Sequence, residues 1–121
     1  MARILISDDS PTEVLLFQQA MQAMGHETVV ARDGLEAEAK FLETAPDLVI
    51  LDVVMPKKDG FQVCRKIKSD PRGQNIPVII VSTRGQESDR YWGMRQGAEA
   101  YFGKPFDLSD LVDKVRELLG E

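Results

Sequence analysis

Five short apolar runs rich in β-branched residues recur along the chain with longer, helix-patterned stretches between them: Ile4 to Ile6, Thr28 to Ala31, Leu48 to Leu51, Val78 to Val81, and Ala100 to Phe102. Each run is nearly continuous in apolar character instead of alternating in and out, which is the pattern of strands buried on both faces of a parallel sheet. The stretches between them carry the other period. Leu108, Leu111, Val112, Val115, Leu118 and Leu119 follow the i, i+3, i+4, i+7 rule and build one apolar stripe, and Val14, Phe17, Met21 and Met24 form a similar face on the first helix. Strands and helices in strict alternation, with short connections, predict an α/β fold: a five-stranded parallel sheet with five helices on both faces, because right-handed crossovers place helices on either side.

Local signals agree with these boundaries. Ser10-Pro11-Thr12-Glu13 offers an N-cap serine, a proline at the first helical position and a capping-box glutamate, and Asp33-Gly34-Leu35-Glu36 repeats the logic for the second helix. Gly25 and Gly97 stand where the first and fourth helices should end, and Asp107 is placed to cap the fifth. At 121 residues the sequence suits one domain over 1–121, with no room for a second folded output module. Lys and Arg number 15 against 20 Asp and Glu, a net charge of -5, which disfavours nucleic-acid binding. No window approaches the ~20 apolar residues of a membrane span and no signal peptide leads the chain, so no membrane insertion and a cytoplasmic location are expected. A single cysteine, Cys64, excludes an internal disulfide and a cysteine-rich metal site.

In an open parallel sheet, ligands bind beyond the carboxyl ends of the strands. The residues that follow each apolar run are therefore the candidate site: Asp8 and Asp9 after the first, Asp52 after the third, Ser82 and Thr83 after the fourth, Lys104 and Pro105 after the fifth. Carboxylates gathered there repel, about 4 kcal/mol for a pair at ~4 Å and an effective dielectric of ~20, so a cation should accompany them. Oxygen ligands without imidazole or thiolate suit Mg2+. With Lys104 as a point charge and Ser82 as a hydroxyl donor, the set reads as a phosphoryl-transfer site with a carboxylate nucleophile.

Ile4-Leu5-Ile6-Ser7-Asp8-Asp9-Ser10, Leu51-Asp52-Val53-Val54-Met55-Pro56 with Asp59-Gly60, and Lys104-Pro105-Phe106 together resemble the CheY-like receiver domain of two-component response regulators. The resemblance implies a flavodoxin-like sheet of order 2-1-3-4-5, phosphorylation of Asp52 by a histidine kinase, and Mg2+ held by Asp9, Asp52 and the backbone carbonyl of Val54, with Asp8 acting partly through water. It also implies that Ser82 is a switch hydroxyl, that Tyr101 is the aromatic that swings inward, and that Lys104-Pro105 carries a cis bond. Phosphorylation would then change the surface of helix four, strand five and helix five toward a downstream protein target. Departures from the common pattern are Ser7, where an aliphatic residue usually ends strand one, and Thr83, a bulkier neighbour after the switch hydroxyl. Val54 and Arg84 fall at the variable positions flanking the phosphoryl site. Asp8-Asp9-Ser10-Pro11-Thr12-Glu13 and Tyr91-Trp92-Gly93-Met94-Arg95-Gln96-Gly97-Ala98 are further similar to single-domain receivers of pilus-associated chemosensory systems.

Plainer roles suit several other residues. Cys64 falls with Phe61 and Ile67 at helical spacing, as a buried thiol would; His26 after Gly25 reads as structural or solvated; Trp92 reads as partner-facing; Lys57-Lys58 reads as a solvated loop pair. Two other functions use similar ingredients. A Mg2+-dependent phosphatase on small molecules usually wants a second carboxylate two residues beyond the nucleophile, where this chain has Val54. A flavodoxin-type cofactor binder needs a phosphate loop after strand one, and none is present. Within the regulator reading, an effector and a phosphate sink that drains a shared kinase stay equally open.

Overall fold

In a computed structural model covering residues 1–121, ten elements alternate along the chain. They are β1 (Arg3–Ser7), α1 (Pro11–Ala23), β2 (Glu27–Ala31), α2 (Gly34–Thr44), β3 (Leu48–Asp52), α3 (Gly60–Ser69), β4 (Val78–Ser82), α4 (Glu87–Arg95), β5 (Ala100–Gly103) and α5 (Leu108–Leu119). All strand pairs are parallel and their order is β2-β1-β3-β4-β5. Register runs Leu5 opposite Val29 and Val49, Leu51 opposite Ile80, and Ile80 opposite Tyr101.

Every residue of β3 and β4 is buried, as strands covered on both faces must be. Successive side chains along a strand point to opposite faces, so the apolar runs divide between two cores. Leu5, Val49, Leu51 and Ile80 pack with Phe41, Phe61, Ile67 and Tyr101 on one face; Ile4, Ile6, Ile50 and Ile79 pack with Phe17, Met21, Leu111 and Val115 on the other. Met24, at the end of α1, is only partly buried at the rim of the second core. No helix is long and apolar enough to cross a membrane.

The caps depart from the sequence reading in three places. Ser10 accepts the Glu13 amide at 3.4 Å, but the Glu13 side chain does not return the bond; its carboxylate lies 3.9 Å from Lys104, an attraction no local pattern contains. Asp107 stands at the N-cap of α5 without a side-chain bond, because the Asp110 amide donates to the Asp107 carbonyl instead. A reciprocal capping box closes at α3, where Asp59 accepts the Gln62 amide at 2.9 Å and Gln62 accepts the Asp59 amide at 3.1 Å. Lys57 and Lys58 are solvated and also paired, with Asp33 at 3.5 Å and Glu38 at 3.0 Å, and so fasten the β3–α3 loop to α2.

That loop closes tightly over β3. The Gly60 amide donates to the Val53 carbonyl at 2.9 Å, and a Cβ on Gly60 would run into the carbonyl of Asp52. Gly60→Ala is therefore expected to cost roughly 2 kcal/mol or more in a urea melt, since backbone on backbone has no rotamer with which to yield. Cys64 is fully buried, its Sγ 3.6 Å from the Gln96 carbonyl at the end of α4, and burial pushes its thiol up to about 12. The native protein is expected to resist iodoacetamide at about pH 8 and to react only once denatured, because the thiolate is the reacting form. His26 is buried and structural: its Nδ1 accepts the Ala2 amide at 3.0 Å.

Candidate functional site

Strand order decides what meets. Placing β1 beside β3 brings the residues after Ile6 next to Asp52, and β4 and β5 follow on the same rim. Carboxylate oxygens of Asp8, Asp9 and Asp52 all lie within 4.8 Å of one another, with Asp8 and Asp52 buried and Asp9 exposed. Asp8 is fixed from two sides, since one oxygen accepts the Ser10 amide at 2.9 Å and the other faces the Lys104 ammonium at 3.1 Å. Lys104 Nζ lies 3.7 Å from Asp52 as well and, with Glu13 at 3.9 Å, serves three carboxylates. Glu13 is the site neighbour that sequence reasoning missed. Its one visible signal, three residues after a serine, was a capping signal.

Lys104 is set by backbone: its amide donates to the Ser82 carbonyl at 2.7 Å, and the Lys104–Pro105 bond is cis. Ser82 is fully buried and its Oγ accepts the Arg84 amide at 3.1 Å, which leaves the hydroxyl proton free to donate. Thr83 is exposed and opens onto a hollow of about 320 Å³ lined by Leu16, Phe17, Lys104 and Phe106. Val54 is exposed beside the acidic cluster, and Ser7, buried at the end of β1, lies with its hydroxyl 3.1 Å from the Met55 sulfur.

Tyr101 is buried, not half-buried as an ordinary strand aromatic would be, and the reason lies across the fold in α4. A Cβ at Gly93 would come within 2.7 Å of the Tyr101 ring, so the glycine leaves the slot that the ring fills. The phenol donates to the Arg84 carbonyl, and Arg90 donates to the Tyr101 carbonyl at 2.9 Å while its guanidinium sits over the ring.

Electrostatics follow from this crowding. Burial, then the neighbouring Asp8 charge, push the Asp52 carboxyl up to about 6, against the opposing pull of Lys104 and the Val54 and Val53 amides. The folded protein thus holds a proton that the unfolded chain, at its ordinary 3.8, releases. That contribution to stability is present below about pH 4 and is lost as pH rises through about 6, a change of roughly 3 kcal/mol. Urea melts in chelator are expected to show Asp52→Asn gaining on the native sequence by about 2–3 kcal/mol between about pH 4 and about pH 7.

The donor set fits a hard divalent cation. All three donors are carboxylates whose oxygens lie within 4.8 Å of one another, and hard oxygen donors of this kind, few in number and completed by water, are what Mg2+ takes. His26 and Cys64 lie outside the cluster.

A doubly covered parallel sheet carrying an acidic cluster, a buried hydroxyl and a lysine at its carboxyl rim is the architecture of phosphoacceptor signalling domains. The response regulator receiver domain family matches residues 4–116, and the chain belongs to that family, the receivers of two-component systems that kinases phosphorylate. It is 43% identical to Protein PilH of Pseudomonas aeruginosa over 98% of both chains. It is 39% identical to the DNA-binding dual master transcriptional regulator RpaA of Synechocystis over 98% of its own length, but spans only 49% of that protein. Among solved structures it resembles the Mn2+-bound form of response regulator Rcp1, with a TM-score of 0.81 and 31% identity over 98% of this chain and 91% of that one.

Proposed function

We propose that Asp52 is the phosphoacceptor of this receiver and that it signals by protein contact. The observation that carries this reading is the Lys104 ammonium standing between Asp8 and Asp52, at 3.1 and 3.7 Å, at the open end of the sheet. In the step proposed, an Asp52 carboxylate oxygen attacks the phosphorus of a kinase phosphohistidine. The P–N bond breaks, its electron pair going to a ring already protonated on its other nitrogen, so that a neutral imidazole leaves and an acyl phosphate remains on Asp52. Lys104 neutralises phosphoryl oxygens, and Ser82 donates its free proton to one of them. Held by Asp9, Asp52 and the Val54 carbonyl, with Asp8 through water, Mg2+ would supply further charge neutralisation.

As Ser82 moves to donate its proton to the phosphoryl group, the Arg84 amide that its oxygen accepts would follow and pull on the β4–α4 loop. Tyr101 is bonded to that same loop at the Arg84 carbonyl, so the pull reaches the α4, β5 and α5 surface. The likeness to Protein PilH supports a place in pilus-based motility. Incubation with Mg2+ and acetyl phosphate tests the first claim: a mass gain of one phosphoryl group on Asp52 is expected, and none under any donor would overturn it. Phospho-dependent capture of a motor or pilus component would mark an effector, whereas rapid phosphoryl flow from the kinase without capture would mark a sink.

A further inference from the structure

Helix α4 is the least covered element of the molecule, with Gly93 its only buried residue, and it leaves Tyr91, Trp92 and Met94 about half exposed or more. It starts beside the site and runs ~13 Å along the sheet at 1.5 Å per residue, so its last turn lies at the end remote from Asp52. There, between α3 and α4, Arg65, Trp92, Arg95 and Gln96 line a hollow of about 230 Å³.

Charge makes this hollow unusual. The chain carries 20 carboxylates against 15 cationic side chains, and Arg3, Arg72, Arg84 and Arg116 each pair with one. Arg32, Arg65, Arg90 and Arg95 pair with none; Arg90 is held by the Tyr101 carbonyl, and Arg65 and Arg95 line this hollow together. The nearby candidates are already held: Glu99 by Lys68 at 2.8 Å and the Val78 amide at 2.7 Å, and Asp89 by Arg84 at 3.0 Å. Two guanidiniums lining one hollow with an exposed indole, Arg95 also standing 6.0 Å over the Tyr91 ring and neither having a counter-charge, form a basic and aromatic patch of the composition found at the centres of protein contacts.

We propose that this α3–α4 hollow docks an acidic segment of a partner protein, its carboxylates taken by Arg65 and Arg95 and an apolar side chain laid on Trp92. Guanidiniums take carboxylates in pairs of parallel hydrogen bonds, and the indole supplies a flat apolar anchor. Tyr91 and Met94 extend the apolar surface beyond the hollow, which favours a peptide chain over a lone nucleotide. The inference rests on the reading of the chain as a protein-contact module. It deepens that reading by naming the partner's chemistry and by placing a contact away from the phosphoacceptor.

Trp92 is the only tryptophan, so its fluorescence reports on the hollow directly. Random heptapeptides displayed against the full chain are expected to yield acidic sequences with an apolar residue that shift Trp92 emission on titration. Affinity is expected to fall at least about tenfold in the Arg65→Gln, Arg95→Gln double variant, and as much when the peptide's carboxylates become amides. Both arginines are exposed, so the double variant keeps its fold. Docking by a native chain that takes up no phosphoryl group from any donor would defeat the phosphoacceptor reading alone. Selection without acidic enrichment, or binding unchanged in the double variant, overturns the proposal. So does an emission shift produced by a purine nucleotide with the same arginine dependence and by no peptide.

Discussion

Asp52→Asn is expected to lose phosphoryl incorporation altogether while leaving a more stable protein. The amide is no nucleophile, and none of the remaining carboxylates sits where Asp52 does: Asp8 is spoken for by Lys104 and the Ser10 amide, and Asp9 is exposed at the mouth. A drop of at least about a thousandfold in labelling rate follows from removing the attacking group. Because the same change removes the burial penalty and the Asp8 repulsion that push the Asp52 carboxyl up to about 6, the variant melts later in chelator, so misfolding cannot account for lost labelling. Phosphoryl transfer to the variant at an undiminished rate would place the acceptor elsewhere.

Lys104→Met carries the second large effect, on stability. Asp8 is 1% exposed, and its principal counter-charge is the ammonium 3.1 Å away. Removing one partner of a buried pair leaves an uncompensated charge, at a cost of about 3–5 kcal/mol. The loss should be largest in chelator and near neutral pH, where Asp8, Asp52 and Glu13 would face one another without a cation. Adding Asp8→Asn to Lys104→Met is expected to restore most of it, since the charge left stranded is then gone. Urea melts of the two single variants and the double variant measure the coupling; additive losses would show that Lys104 acts through packing, not charge.

Much of the site was legible because strand ends are legible. Asp8, Asp9, Asp52, Ser82 and Lys104 each follow an apolar run, and a parallel sheet delivers the residues after its strands to one rim. Glu13 was not legible in this way. The Ser-x-x-Glu spacing predicts a local bond to the Ser10 amide, but the side chain turns to Lys104, 91 positions later in the chain, whose nearness no window of sequence contains. Lys57 and Lys58 are solvated loop residues as the sequence implies, and only their partners, Asp33 at the cap of α2 and Glu38 within it, were out of reach of local sequence.

What the amino-acid order determined alone was periodic: where strands and helices fall, which faces they bury, and which chemistry stands at the strand ends. These follow from side-chain geometry repeating every two residues or every 3.6. Tertiary structure alone decided the contacts between distant segments. Gly93 in α4 makes the slot for Tyr101, the Asp107 carboxylate goes unused because a backbone carbonyl has taken its amide, and two unpaired arginines from α3 and α4 meet around one indole. Such contacts depend on distances set by the packing of whole elements, and charge and shape act through space without regard to position along the chain.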